Sequence, residues 1–196
     1  MRSKPGKIII ISGPTGSGES VITQKILRLI PNTRRIVTVT TRPPRPRETN
    51  GVDYFFVSLV QFKTLIKTGA FLEHIKIPNR QVYYGTLKKP IEDHLNDGVN
   101  LIGNLGWPGN ESFQKFFPDR VVSIFIKPDS LAVIKKRLVK RDPTISEAEI
   151  AKRLANASRE IKEAKYYDHV VINHDGKIEQ TIAQIARLIR SFIKKP

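Results

Sequence analysis

Gly13-Pro14-Thr15-Gly16-Ser17-Gly18-Glu19-Ser20 follows the apolar run Ile8-Ile9-Ile10-Ile11 and precedes a helical pattern that starts near Val21. The spacing G-x-x-x-x-G-[K]-[S/T] describes a phosphate-binding loop between a strand and a helix. Its glycines let backbone N–H groups turn inward around a phosphate at the positive end of the following helix. Gly13, Gly16, Gly18 and Ser20 fit, with Pro14, Thr15 and Ser17 between them, and Ser20 supplies the hydroxyl expected on Mg2+. One position does not fit: Glu19 stands where a lysine should meet the β- and γ-phosphates. At an effective dielectric of about 20 and a separation of about 4 Å, a unit charge pair is worth roughly 4 kcal/mol. Exchanging attraction for repulsion there should weaken ATP binding and phosphoryl transfer.

Outward from this loop, residues 7–12 read as a buried strand, because an unbroken β-branched run without alternation suits a parallel sheet covered on both faces. Val21, Ile22, Ile26, Leu27 and Ile30 recur at helical spacing until Pro31 stops them. Residues 35–40 read as a second strand, and the proline-rich 41–48 as an ordered loop. A strand at 54–57, a helix capped by Ser58 and ended by Gly69, and short strands at 71–77 and 82–84 around a turn at 78–79 suggest a small lobe inserted into the sheet domain. Pro90 opens a helix that ends at Asp97-Gly98. Residues 100–105 form another strand, and 106–109 look irregular. Then come a strand at 121–126, a helix from Asp129 or Ser130 to Val139, and a break at 140–143. Ser146-x-x-Glu149 is a capping-box match that restarts a helix to about Lys165. A basic segment between two helices is a candidate lid. A last strand at 169–173 and an amphipathic closing helix complete the chain. Strands alternating with helices behind a phosphate loop predict an α/β fold with a doubly wound parallel sheet.

The 196 residues suffice for one sizeable core. No cysteine is present, which excludes a disulfide framework and a thiolate metal site. No apolar run approaches the roughly 18 residues of a membrane span, so the expectation is a cytoplasmic protein. The balance of 34 basic against 18 acidic residues, a net charge of +16, predicts an anionic partner: nucleotide, phosphorylated protein or RNA. RNA association would be steeply salt-dependent, and no aromatic-interleaved motif supports it.

From Val37 onward the chain resembles a known family. Val37-Thr38-Val39-Thr40-Thr41-Arg42-Pro43-Pro44-Arg45, then Glu48-x-x-Gly51-x-Asp53-Tyr54-x-Phe56-Val57, looks like the guanylate kinase signature. Phe71-Leu72-Glu73, Tyr84-Gly85-Thr86, Lys136-Arg137-Leu138, Arg153-Leu154 and Asn173 match as well, so the resemblance covers nearly the whole chain. It implies a P-loop kinase core over 1–40, 87–139 and 166–196, a GMP-binding lobe over 41–86 and a helical lid over 140–165. It also implies that Arg42, Arg45, Tyr54 and Tyr84 hold the GMP phosphate, a task suited to the bidentate guanidinium fork. Glu73 would accept from guanine N1–H and the 2-amino group, Thr86 would donate to O6, and Thr38 would sit beside the base. Arg137, Arg141 and Arg153, with Arg42, would stabilise charge on the transferring group. Asn173 would lie on the adenine side.

The chain departs from the family at three places. Glu19 replaces the lysine, Arg47 occupies a glycine position before Glu48, and the acidic strand end D-x-D-x-Q-G reads Asn104-Leu105-Gly106-Trp107-Pro108-Gly109. Both carboxylates are lost there, one that helps organise Mg2+ and one that contacts guanine. The losses fall mainly on the ATP and metal side, while the GMP side is mostly intact. Two functions follow. One is a guanylate kinase transferring a phosphoryl group from MgATP to GMP, with a basic residue such as Lys25 covering part of the missing charge. The other is an inactive module that binds GMP or phosphorylated partners.

Overall fold

The isoleucine run does become the centre of the molecule. In the computed structural model, which describes residues 4–77 and 81–194, β1 (Ile8–Ser12) is buried over its whole length. It lies between β7 (Asn100–Asn104) and β8 (Val121–Pro128), parallel to both. With β2 (Thr33–Arg35) and β9 (His169–Asn173) they form a five-stranded parallel sheet in the order β2-β7-β1-β8-β9. Side chains alternate across a strand. Ile9 and Ile11 therefore pack under α1 (Glu19–Leu29) and α7 (Ile178–Lys194), with Ile22, Ile26, Ile182, Ile185 and Ile189. Ile8 and Ile10 face the opposite layer, where α3 (Lys88–Asn96) contributes Ile91 and Leu95 and α4 (Trp107–Phe116) contributes Phe113. Each isoleucine withdrawn from water contributes roughly 1.5–3 kcal/mol. Helices on both faces make the sheet doubly wound, as expected.

A second sheet has the order β4-β3-β6-β5, built from β3 (Thr38–Thr40), β4 (Tyr54–Phe56), β5 (Phe71–Lys76) and β6 (Tyr83–Leu87). The expected single strand at 35–40 is therefore two. β2 pairs with β7 in the central sheet, and after Ile36 bonds Ile102 O the chain crosses so that β3 pairs with β4 and β6. Thr38–Thr40, assigned to the core from sequence, thus belongs to the inserted lobe. Helix α2 (Leu59–Lys67) closes that lobe with Phe62 stacked on Phe71 at 4.5 Å, and its start carries a full capping box between Ser58 and Gln61. The turn expected at 78–79, and Lys195 of the basic C-terminus, lie outside the described residues.

Residues 107–116, left irregular or unassigned by the sequence reading, form α4, with Pro108 in its first turn where a missing N–H costs nothing. Helix α5 (Leu131–Arg141) packs on α6 (Glu147–Lys162), which falls within the expected lid, through Ile134, Leu138, Leu154 and Ala157. Ser130 caps the first of these helices and Ser146 the second. Asp129 instead takes the N–H of Asp175, which settles the alternative cap.

Candidate active site

The phosphate loop leaves the end of β1 and enters α1 through two left-handed glycines, Gly16 at φ 80° and Gly18 at φ 94°. A Cβ at Gly13 would come within 2.6 Å of Ile126 O, so no larger residue fits this turn. The outer side of the loop is braced. Asn173 Nδ2 donates to Ser17 O at 2.7 Å, and Thr181 Oγ1 donates to Asn173 Oδ1 at 3.1 Å. Arg137 Nη1 donates to Gly16 O at 3.0 Å. Asn173 is 1% exposed, so its amide supports the loop and does not face an adenine. Arg137 likewise lies against the loop carbonyls. Ser20, the expected Mg2+ ligand, is exposed in the first turn of α1.

Two cavities meet at the end of β7. The donor-side cavity, about 330 Å³, is lined by Ser12, Gly13, Glu19, Phe125, Glu160 and Glu163, among others. The acceptor-side cavity, about 640 Å³, is lined by Thr38, Tyr54, Glu73, Tyr84 and Ser112, among others. Asn104, Leu105, Gly106 and Pro108 belong to both and form the shared wall. Asn104 fixes that wall, its amide nitrogen donating to Thr23 Oγ1 at 3.0 Å and Ile11 O at 3.3 Å. Trp107 continues it, stacked on Tyr166 with ring centroids 4.7 Å apart.

The two cavities differ in charge. Among the described residues, the donor-side lining holds three carboxylates and no lysine or arginine, whereas the acceptor lining has Glu73 as its one carboxylate and Arg42 packed behind it. Burial, and to a lesser extent the charge of Glu160, push the Glu19 carboxyl up to about 7. Burial beside Glu163 raises Glu160 as well. Lys25, which could have restored the missing cation, pairs with Glu179 of α7 and is not among the described residues lining the donor-side cavity. Glu160 and Glu163 were not singled out in the sequence, where they read as one more charged face of an amphipathic helix. Their i, i+3 spacing, with Glu160 in the last turn of α6 and Glu163 just after its end, was the available signal.

On the acceptor side Arg42, Glu48, Glu73, Tyr84 and Thr86 are hydrogen-bonded to one another in two groups. Arg42 forks onto Glu48 at 2.8 and 2.9 Å, donates through Nε to Tyr84 Oη at 3.3 Å, and lies 5.2 Å from the Tyr54 ring centroid. The hydrogen bonds from Arg42 and from the Arg45 N–H hold the Glu48 carboxyl below its ordinary value. The Arg45 side chain is exposed. Glu73 Oε1 accepts from Thr86 Oγ1 at 2.7 Å, and burial raises the Glu73 carboxyl against the opposing effect of that bond. Thr86 is 1% exposed and its single hydroxyl proton is on Glu73, so it is not presented to a guanine O6. On α6, Arg153 Nε donates to Glu149 at 2.7 Å, while Arg141 ends α5 as an exposed residue. Thr38, Tyr54, Glu73 and Tyr84 thus converge on one cavity, with Arg42 directly behind the two tyrosines.

Comparisons with known proteins agree with this geometry. A family model described as guanylate kinase matches residues 5–192. A guanylate kinase of Rickettsia bellii (strain RML369-C) is 40% identical over 195 residues, spanning 100% of this chain and 99% of the relative. One of Wolbachia pipientis wMel is 37% identical over 184 residues, spanning 94% and 89%. The crystal structure of guanylate kinase from Anaplasma phagocytophilum superposes with a TM-score of 0.75 at 31% identity, covering 98% of this chain and 89% of that one. With the match running from the first strand to the last helix, this chain belongs to the guanylate kinase family.

Proposed function

We propose that the chain transfers the γ-phosphoryl group of ATP to GMP, giving ADP and GDP. The observation that supports this most is the pair of cavities with a common wall: the phosphate loop borders one, and the Glu73 and Tyr54–Tyr84 groups, backed by Arg42, border the other. A donor and an acceptor held on either side of Asn104 and Gly106 are brought into line, and catalysis of phosphoryl transfer is chiefly positioning and charge stabilisation.

In this reading Arg42, Arg45, Tyr54 and Tyr84 hold the acceptor phosphate, Glu73 and Thr38 the base, and the N–H groups of the loop the donor phosphates. An oxygen of the GMP phosphate attacks the γ-phosphorus, and the bond to the β-bridging oxygen breaks to release ADP. Arg141 and Arg153 of the lid close on the group in transit, and Arg137 keeps the loop in shape. Mg2+ takes hard oxygen ligands and arrives with most of them supplied by the nucleotide and water. The exposed Ser20 hydroxyl fits as its protein ligand, and the ion would offset phosphate charge. The cytoplasm, where both nucleotides occur, is the setting this reading implies. Among the described residues no helix is long and apolar enough to cross a membrane.

The test is release of ADP, coupled to a dehydrogenase readout, with GMP and MgATP at high enzyme concentration. GMP-dependent turnover is expected. Its complete absence would leave the chain a nucleotide-binding member of the family without the activity.

A further inference from the structure

Building on the proposed function, we propose that the acceptor pocket takes 6-oxopurine nucleoside monophosphates with either an amino group or a hydrogen at position 2, so that hypoxanthine nucleotides are accepted alongside guanine nucleotides. The argument begins with the lining. Among the described residues, Glu73 is the one carboxylate on the acceptor cavity. The wall opposite, from Asn104 through Gly106 and Pro108 to Ser112, presents backbone and neutral groups only.

Guanine offers N1–H and two amino hydrogens along the edge that meets a carboxylate, whereas hypoxanthine offers N1–H alone. A polar site rejects an analogue strongly when the missing group leaves a buried partner unpaired. That condition is absent here. Glu73 Oε1 already accepts from the buried Thr86 hydroxyl at 2.7 Å, so N1–H on Oε2 leaves both oxygens of the carboxylate with a hydrogen bond. Loss of the 2-amino group therefore removes one bond and creates no orphan. The other neutral oxygens in reach, those of Thr38, Asn104 and Ser112, are weak discriminators because they are polar groups that solvent can satisfy at the mouth of the cavity.

The same chemistry sets the limits of tolerance. Xanthine carries a carbonyl oxygen where guanine has the amino group, and this oxygen would face the Glu73 carboxylate. Adenine carries an acceptor at N1 and would face it with a lone pair. Both are excluded by repulsion between acceptors, so the accepted class is defined by the N1–H donor beside a carbonyl at position 6, with no acceptor at position 2.

The full chain is titrated calorimetrically with GMP, inosine 5′-monophosphate, xanthosine 5′-monophosphate and AMP at about pH 8, where carboxylates are ionised, and turnover of each with MgATP is measured in parallel. The inosine nucleotide is expected to bind within about tenfold of GMP, and the other two at least about a hundredfold more weakly. A larger gap for the inosine nucleotide, or AMP binding as well as it does, overturns the inference.

Two variants test the cause. Thr86→Val frees Glu73 Oε1 and should widen the gap between GMP and the inosine nucleotide. Gly106→Asp adds a second carboxylate to the wall, where a Cβ would meet only Pro108 Cδ at 4.0 Å, and should widen it too. An unchanged ratio in a folded variant of either kind contradicts the assignment. GMP bound without being phosphorylated would end the proposed function and leave the ratio of dissociation constants as the measure of base tolerance. GMP not bound at all overturns both.

Discussion

The acceptor lobe and the donor loop use charge in opposite ways. In the lobe, Arg42 is oriented by its salt bridge to Glu48 and its bond to Tyr84, so a paired cation sits behind the tyrosines of the acceptor cavity. At the loop, Glu19 shares a cavity with Glu160 and Glu163, and burial has moved its carboxyl to about 7. The backbone of the loop keeps its phosphate-binding shape while the side chains around it favour a cation. Shape and charge are thus separable contributions to a phosphate site, and this chain retains both at one end of the reaction and the first alone at the other.

The largest expected effect attacks the donor side. Glu19→Lys should raise kcat/KM for MgATP by about two to three orders of magnitude, since it turns repulsion into attraction at the transferring phosphates. If steady-state kinetics show no change, the neutral Asn104 and Gly106 limit the reaction instead. The matching change on the acceptor side is Arg42→Ala, which removes the phosphate fork and leaves Glu48 without its partner. KM for GMP should rise by about a hundredfold while KM for ATP hardly moves. Equal losses for both nucleotides would dissolve the division between the two regions.

A smaller effect follows pH. Glu19 is protonated below about 7 and ionised above it. Turnover at limiting MgATP should therefore fall by about tenfold between pH 6 and 8, and Glu19→Gln should flatten that fall. Stability moves with the same sign. The folded state holds the Glu19 proton more tightly than the unfolded chain does, so the contribution is most favourable below the ordinary value of 4.5 and is lost as pH rises toward about 7. The loss amounts to about 3 kcal/mol. Urea denaturation of the native chain and the glutamine variant across that range would show it, and parallel pH curves would refute it.

The smallest effect concerns the arginine-rich loop itself. Arg47 sits at φ 74°, a left-handed backbone that a side chain resists and glycine adopts freely. Arg47→Gly should raise stability by about 1 kcal/mol, read as a higher Tm, with GMP binding unchanged.

Much of this was legible in the residues. The isoleucine run fixed the central strand because burial on both faces needs an unbroken apolar sequence, and the substitution at Glu19 was visible against the spacing of the loop. The split of residues 33–40 between two sheets was not, since strand propensity says nothing about which neighbour a strand finds. The helix at Trp107 was hidden by Gly106, Pro108 and Gly109, whose usual reading as breakers gave way to a proline in the first turn. Asn173 and Arg137 carried a recognisable motif, yet their partners, Ser17 O and Gly16 O, are more than a hundred residues away and became visible only in three dimensions. The carboxylates Glu160 and Glu163 looked like ordinary solvated charge until the end of α6 and the turn after it brought them to the donor cavity.

The separation of the two sites is tested most directly by titrating MgATP and GMP in turn into the native chain and the Glu19→Lys variant at about pH 8. The account predicts that the dissociation constant for MgATP drops by at least about tenfold in the variant and that the constant for GMP stays within about twofold. No gain for MgATP, or an equal gain for both nucleotides, would contradict it.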